Sequence, residues 1–186
     1  MAGRGLQGHG LRARGPEPQA RLWPAAYPAG PGGAVPVRGQ AVILRDAHSL
    51  DAGRVGAILA GFQADTPWMP NLWTGAECIA FGGRLIDEGI VRVAEDGGVV
   101  GFMARRRDEV LALYVAPGAR GQGIGSRLLA EAQEAEATLS LRTFEVNHRA
   151  RAFYGRHGFV ETARGDGSGT DEGLPDILLT WERTAP

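Results

Sequence analysis

The sequence predicts a mixed α/β fold of the α+β kind, with a mostly antiparallel sheet of six to seven strands and helices on both faces. Three observations predict it. Short apolar runs alternate with segments whose apolar residues recur at helical spacing. Three strand-like runs follow one another across short connections, which is typical of an antiparallel meander. Two later strands flank a helix, and such a crossover makes neighbouring strands parallel.

The predicted elements alternate in a β-α-α-β-β-β-α-β-α-β-β order. They are a strand at 41–44, helices at 48–62 and 76–86, strands at 90–94, 99–103 and 110–115, a helix at 122–137, a strand at 139–146, a helix at 149–156, and strands at 159–162 and 176–181. Asp96-Gly97-Gly98 supplies a hairpin turn, and Gly158 is expected to end the fourth helix. We expect strands 110–115 and 139–146 to form the central parallel pair.

Residues 1–38 differ in composition from the rest of the chain. They are rich in Gly, Pro, Ala and Arg, and lack aliphatic periodicity. This composition predicts a disordered tail, with one folded domain over residues 39–186. The tail is Arg-rich and acid-poor like a transit peptide, but it contains no serine.

Composition also excludes several classes of function. The formal net charge of -1 does not predict nucleic-acid binding. No apolar run is long enough for a membrane span or typical of a secretory signal, so we expect a cytoplasmic protein. Cys78 is the one cysteine, which excludes an internal disulfide and a cysteine zinc cluster. The sequence contains no lysine, which excludes a P-loop lysine and a lysine Schiff base.

A glycine-rich turn at 120–126, Arg-Gly-Gln-Gly-Ile-Gly-Ser, joins the 110–115 strand to the next helix. The first amides of a helix have no partner inside it, and the helix dipole adds partial positive charge there. Because glycine has no Cβ, a phosphate can approach this backbone closely. Arg120 can add a guanidinium to the same phosphates. The turn predicts an anion site; tightening of the strand–helix connection is the alternative.

Two known kinds of phosphate site fit the turn poorly. A P-loop needs Gly-Lys-Ser/Thr, which is absent. A dinucleotide fingerprint needs a third glycine where Ser126 stands. Glu145 lies about 20 residues further on, where a ribose-binding acid is expected. The chain before residue 109, however, supplies a meander rather than repeated βαβ units.

The spacing Arg120-x-x-Gly123-x-Gly125 resembles the pyrophosphate signature of the GCN5-related N-acetyltransferase (GNAT) superfamily. Residues 147–160 contain Asn-x-x-Ala-x-x-Phe-Tyr-x-x-x-Gly-Phe, which is similar to that superfamily's second cofactor motif. The element order over 40–183 also matches its acyl-CoA N-acyltransferase fold. The resemblance implies that the parallel pair splays apart, that acetyl-CoA is the co-substrate, and that no metal takes part.

The resemblance also implies where the cofactor lies. The pantetheine arm would enter between the splayed strands and pair with backbone groups of Leu113 and Val115. Asn147 would bond to it, or cap the following helix, a role that His148 could take instead. Arg156 would touch the phosphates or be solvated. The residues implied to bind the cofactor are Leu113, Tyr114, Val115, Arg120, Gly121, Gln122, Gly123, Ile124, Gly125, Ser126, Asn147, Tyr154 and Arg156.

Tyr154 is the candidate acid, because a tyrosine in this place of the motif is implied to protonate the departing thiolate. Its alternative is a core residue, a role that suits Phe153 better. The acceptor amine would attack directly in a ternary complex. Cys78 lies far from both motifs in the sequence, so a thiol relay is not expected.

The base that removes the amine proton has three candidates. Glu109 enters the strand before the turn, and Glu145 lies two residues before Asn147. Because side chains alternate between the two faces of a strand, Glu145 and Asn147 would lie on the same face, near the cofactor. Each carboxylate could equally be a surface group, and His148 is a weaker candidate.

The acceptor side is expected at the loop between the first two helices and at the last hairpin. The apolar candidates are Phe62, Trp68, Met69 and Trp73, which could clasp a substrate or cap the core. The last loop carries Asp166, Asp171, Glu172 and Asp176 against Arg164. This acidic rim could attract an amine cation or be solvated.

We therefore expect an N-acetyltransferase acting on a primary amine, either a small molecule or an amine of a peptide or protein. Two other classes compete with it: a non-catalytic acyl-CoA-binding sensor or interaction domain, and a nicotinamide oxidoreductase. The sequence does not identify the acceptor. We expect no nucleic-acid or membrane partner, and a homodimer is compatible with the resemblance.

Overall fold

The computed structural model describes residues 42–184. The tail predicted for residues 1–38 lies outside this range. The helices and strands are β1 Ile43–Asp46, α1 Ala52–Asp65, α2 Gly75–Asp87, β2 Val91–Glu95, β3 Val99–Arg106, β4 Glu109–Val115, α3 Ile124–Ala135, β5 Thr138–Phe144, α4 His148–Arg156, β6 Val160–Gly165 and β7 Asp176–Glu182. Short 3-10 turns precede α1 and α3, at Ser49–Asp51 and Pro117–Ala119.

The seven strands form one mixed sheet in the order β1-β2-β3-β4-β5-β7-β6. All neighbouring pairs are antiparallel except β4 and β5, which are parallel. The predicted turn at Asp96–Gly98 connects β2 to β3, and Asp96 N–H donates to Gly98 C=O at 2.9 Å. Gly158 follows α4 with φ 84°. The predicted fold class is confirmed.

The parallel pair touches only at its beginning. Glu109 and Ser140 are in register, and Ser140 N–H donates to Asp108 C=O at 2.8 Å. No further register pair joins the two strands, while β5 continues beside β7 over its whole length. The gap between β4 and β5 therefore opens toward their carboxyl ends, as the resemblance implied.

Each face of the sheet carries its own core. Side chains alternate across a strand, so Leu113 and Val115 of β4 pack with α3 and α4, whereas Ala112 and Tyr114 pack with α1 and α2. This arrangement confirms helices on both faces. The two cores meet only through the sheet, at the strands that line the gap.

Helices α1 and α2 cross closely because glycines stand at their contact. A Cβ placed on Gly56 would lie 2.5 Å from Ile79 Cα, and one on Gly82 would lie 2.8 Å from a Val55 methyl. Such distances leave no room for a larger residue. The close crossing fixes the loop between the two helices above the sheet.

Most predicted boundaries differ from the structure by a few residues, and two of the differences lie beside the glycine turn and the gap. The helix predicted from 122 begins at Ile124, because Gly121 and Gly123 have φ near 80° and cannot continue a helix. The strand predicted over 139–146 ends at Phe144, and residues 145–146 form a turn into α4. Over residues 42–184, no helix combines the length and the apolar character that crossing a membrane requires.

Candidate functional site

The glycine turn leaves the first amides of α3 uncapped by side chains. Gly123 is the N-cap, with φ 77°, and offers no side-chain acceptor. No acidic residue stands in the first turn of this 12-residue helix. A Cβ on Gly123 would meet no atom within 4 Å, so the space before it is open. The backbone N–H groups at the start of α3 and the positive end of its helix dipole can thus bind an anion.

A cleft of about 230 Å³ lies in front of these amides. It is lined by Val115, Ala119, Arg120, Gly121, Gly123, Ile124, Gly125, Ser126, Phe153 and Arg156. Eight of the thirteen residues predicted to bind the cofactor, from Val115 to Arg156, are therefore brought together around one cavity, along with Phe153, which was predicted only as core.

The two arginines of the cleft have different surroundings. Arg120 Nε donates to Val115 C=O at 3.1 Å, and its Nη1 lies 3.7 Å from an Asp65 carboxylate oxygen. Arg156 is exposed at the last turn of α4, and within residues 42–184 its guanidinium has no carboxylate partner within 4.0 Å. Arg120 therefore braces the turn, while Arg156 is the cation better placed to meet a phosphate.

The free edge of β4 presents backbone groups to the gap. Ala116 N–H donates to Val100 C=O of the β3 side at 2.8 Å. Because backbone groups of successive strand residues point to opposite edges, those of Leu113 and Val115 point away from β3 and into the gap. The Val115 carbonyl already accepts from Arg120. Leu113 and the Val115 N–H can therefore pair with an extended ligand.

Tyr114, predicted to bind the cofactor, is not among the residues that line the cleft. Its backbone is in register with Phe102 of β3 and does not face the gap. Its ring is buried on the α1/α2 face, 5.1 Å from the Phe62 ring and 5.7 Å from the Phe102 ring. Burial raises the pKa of Tyr114 far above its usual range, and the charge of Glu172 adds to the rise.

Tyr154 is buried on the opposite face, and its hydroxyl has no hydrogen-bond partner in the described part of the chain. Burial, and secondarily the charge of Tyr114, raise the pKa of Tyr154 well above its usual range. The hydroxyl thus keeps its proton at neutral pH and can act as a donor but not as a base. A buried donor without an acceptor is unfavourable, and it fits a ligand atom that completes the site.

Asn147 is the N-cap of α4. Its Oδ1 accepts from Ala150 N–H at 3.1 Å, and the side chain is buried. The alternative that His148 supplies the cap is therefore wrong: His148 is the first residue of the helix and is exposed. The cap uses the oxygen of the Asn147 amide, and the contact of this residue to pantetheine stays a prediction.

Helices α3 and α4 are tied together at the cleft. His157 Nδ1 lies 2.9 Å from Phe153 C=O, and His157 Nε2 lies 3.0 Å from Ser126 Oγ. If the ring proton is on Nδ1, this nitrogen donates to the Phe153 carbonyl, and Nε2 accepts a hydrogen bond from the Ser126 hydroxyl. This contact holds the two walls of the cleft in register, and it engages the hydroxyl that the sequence assigned to the cofactor.

The candidate bases lie in different places. Glu109 is half-buried at the closed end of the gap, opposite Ser140. Glu145 lies in the turn after β5, so the same-face argument with Asn147 is wrong, since that face requires a strand. Its carboxylate is ion-paired with Arg164 of β6. Glu109 therefore lies away from the open end of the gap, and the role of either carboxylate as the base stays a prediction.

Cys78 is unsuited to carry an acyl group. It lies in α2 with no exposed surface, and Gln63 Nε2 donates to its sulfur at 3.5 Å. Burial raises the pKa of the Cys78 thiol, which lowers the thiolate population that could attack.

The α1–α2 loop covers the gap from one face. Trp68 packs edge-on against Phe144 at 5.8 Å and against Phe62 at 6.2 Å. Phe62 and Met69 are buried core residues, while Trp68 and Trp73 are half-buried. Trp68 therefore both caps the core and forms an apolar wall at the carboxyl end of β5.

The acidic rim predicted for the last loop divides into members with different roles. Asp176 is buried and accepts from Arg142 at 2.6 Å. Asp166 accepts from Ser168 N–H at 2.9 Å within the loop. Asp171 is exposed and Glu172 is half-buried. Of these four acids, Glu172 is the half-buried one without an ion pair to an arginine.

Sequence reasoning missed one buried polar group near the site. Thr143 of β5 has no exposed surface, and its hydroxyl has no partner among the described residues. It is in register with Ile177, which packs in the α3/α4 core, so Thr143 and Tyr154 share one face of the sheet. A threonine in a strand is ordinary, and nothing in the sequence marked it.

The comparisons with known proteins agree with this geometry. Residues 87–161 match the family described as the acetyltransferase (GNAT) domain. The chain is similar to peptidyl-lysine N-acetyltransferase YjaB of Salmonella typhimurium, with 36% identity over 89 residues, which are 48% of this chain and 60% of that protein. The chain thus spans about 60% of the length of that curated relative.

Solved structures show the same fold. The solution structure of apo YjaB from Escherichia coli has a TM-score of 0.66 at 23% identity, covering 76% of this chain and 98% of that one. YncA of Salmonella typhimurium, described as an acetyltransferase and solved with acetyl-CoA, has a TM-score of 0.59 at 21% identity, covering 79% of this chain and 98% of that one. At these identities the likeness establishes the fold.

Proposed function

Because the chain belongs to the GCN5-related N-acetyltransferase (GNAT) superfamily, we propose that it transfers the acetyl group of acetyl-CoA to a primary amine. The lysine side chain of a peptide is the acceptor to test first, since the relative in Salmonella typhimurium is a peptidyl-lysine N-acetyltransferase. One observation carries the proposal: the uncapped start of α3 borders a cleft lined also by Val115 of the splayed strand β4 and by Phe153, the neighbour of Tyr154, whose buried hydroxyl has no partner in the described range.

The cofactor fits the residues present. The diphosphate would lie on the amides after Gly123, beside Arg156, where the open space has room for it. The pantetheine arm would extend the free edge of β4 at Leu113 and Val115. Bound in this way, acetyl-CoA supplies a thioester carbonyl as the electrophile.

The protein's own groups then have defined tasks. The backbone edge of β4 orients the ligand, and the buried cores on both faces exclude water from the gap. The Tyr154 hydroxyl donates a hydrogen bond, and then a proton, to the sulfur that leaves. Direct attack by the amine needs no covalent carrier, which agrees with the buried state of Cys78.

The test is thiol release from acetyl-CoA with three probes. These are an N-terminally blocked peptide with one lysine, a lysine-free peptide with a free N terminus, and a small alkylamine. Because the 186 residues contain no lysine, every acetyl-lysine signal comes from the acceptor. Turnover with at least one probe is expected; binding of acetyl-CoA without turnover would refute the proposal in favour of a non-catalytic acyl-CoA-binding domain.

A further inference from the structure

The loop between β6 and β7 holds Glu172 in a fixed place. Leu174 N–H donates to Thr170 Oγ1 at 3.1 Å, and Thr170 Oγ1 lies 3.0 Å from Gly167 C=O. Leu174 packs against the α1/α2 core, and Pro175 C=O accepts from Glu145 N–H at 2.8 Å. The loop is therefore anchored to the carboxyl end of β5, beside the opening of the gap.

The Glu172 carboxylate has no cationic partner to explain its burial, and its own backbone N–H is a hydrogen-bond donor to it that opposes the rise of its pKa. Over residues 42–184, no arginine or histidine lies within 4.0 Å of it, and no other side chain forms a hydrogen bond with it. The charged and titratable groups that face it are Asp171 on its own loop and Tyr114 on β4. Burial raises the pKa of the Glu172 carboxyl, and the charge of Asp171 adds to the rise.

Leu174, two residues after Glu172, packs against the α1/α2 core, whereas Tyr154 belongs to the α3/α4 core on the opposite face of the sheet. Tyr114 interacts electrostatically with both Glu172 and Tyr154, since the charge of Glu172 raises its pKa and its own charge raises the pKa of Tyr154. Tyr114 stands on β4, where the strand has separated from β5. A group held at the gap would thus have a carboxylate on the α1/α2 side and a phenolic donor on the α3/α4 side.

We propose that Glu172 binds the ammonium group of the acceptor and removes the proton that keeps this group from attacking. The inference rests on the proposed function and adds its base. The half-buried Trp68 on the same face supplies an apolar wall for the alkyl chain that carries the ammonium. A cationic alkylamine therefore fits this side better than a neutral or acidic acceptor.

The protons and electron pairs balance with these residues. The ammonium gives one proton to Glu172, and the nitrogen lone pair forms the N–C bond to the thioester carbonyl carbon. The C–S bond breaks with its electron pair on sulfur, which takes the proton of the Tyr154 hydroxyl. The nitrogen gives up its second proton to restore that hydroxyl, and Glu172 returns its proton to solvent. The products are an amide, a free thiol and one proton.

The experiment compares Glu172→Gln with Asp171→Asn, using whichever of the three amine probes the wild type accepts. Glu172→Gln keeps the size and removes the charge, so we expect kcat/KM for the amine to fall about 100-fold, as for loss of a general base. The fall of kcat/KM at low pH that the wild type shows should be absent in Glu172→Gln. Asp171→Asn removes an exposed charge of the same sign and should change KM by less than about threefold, an effect that salt screens. Thermal stabilisation by acetyl-CoA should be the same in all three proteins.

A second acceptor separates deprotonation from a structural role. The same probe with an aminooxy group in place of its amine is already neutral at neutral pH, so it does not need a base. With it, the deficit of Glu172→Gln should shrink to less than about tenfold. Equal deficits with both acceptors, or activity within twofold of the wild type, would overturn the inference while leaving the proposed function intact. A wild type that acetylates none of the probes would overturn both.

Discussion

Replacing Tyr154 with phenylalanine should make the protein more stable and less active. The hydroxyl is fully buried and has no hydrogen-bond partner within the described range. An unsatisfied buried polar group costs about 1–3 kcal/mol, so its removal should raise the free energy of unfolding by about this amount. For a chain of this size, Tm should rise by about 2–4 °C for each kcal/mol. Loss of the acid should lower kcat about 100-fold.

Thermal unfolding without ligand and thiol release with acetyl-CoA measure the two effects separately. Thr143→Val is the matched stability control, because it removes another buried hydroxyl without a partner on the same face of the sheet. A Tyr154→Phe protein that is less stable than wild type would mean that the hydroxyl is satisfied in the free protein. Unchanged kcat would refute its role as the acid.

Three further changes have signs that the structure fixes. Gly56→Ala places a Cβ 2.5 Å from the backbone of α2 and should destabilise the protein by about 1–3 kcal/mol. Gly61→Ala, whose Cβ meets no atom within 4 Å, should stabilise the protein by about 0.5–1 kcal/mol. Urea unfolding compares the two variants, and equal effects would contradict the close crossing of α1 and α2. Gly123→Ala, at φ 77°, should cost about 1–2 kcal/mol of stability and weaken CoA binding in calorimetry, while Gly118→Ala in the preceding 3-10 turn should do neither. Glu172→Gln should raise Tm at neutral pH, because a buried carboxyl with a raised pKa makes the folded protein less stable once the pH rises through that pKa. The gain in Tm should vanish below about pH 4, where the carboxyl is protonated in the folded and the unfolded protein. A gain that does not change with pH would argue against burial of the charge as the cause.

Local patterns predicted most of the fold because each element has its own signal in the chain. Helical spacing, the Asp96–Gly98 turn and the glycines near 121–125 act within a few residues. The two motifs of fixed spacing located the cofactor side, and the cleft gathers eight of its predicted residues. Boundaries were less certain where turn geometry decides them, as at Phe144, where the strand stops two residues early.

The base and the acceptor side could not be predicted in the same way. Glu145 looked suitable under a strand periodicity that the chain does not follow there, and its pairing with Arg164 depends on β6 lying nearby. Glu172 looked like one more acid in a polar loop. Its half-buried position follows from Leu174 packing under the α1/α2 core, a contact between segments about 100 residues apart.

The sequence by itself determined the mixed fold, the glycine turn that meets a diphosphate, and the tyrosine placed after it, since these depend on residue types at short and fixed separations. Only the tertiary structure decided which polar groups lack a partner at the gap. That property depends on burial and on neighbours that the sheet brings together from distant parts of the chain. Because burial shifts the pKa values of the Tyr154 hydroxyl and the Glu172 carboxyl, it makes these two groups the candidate acid and base.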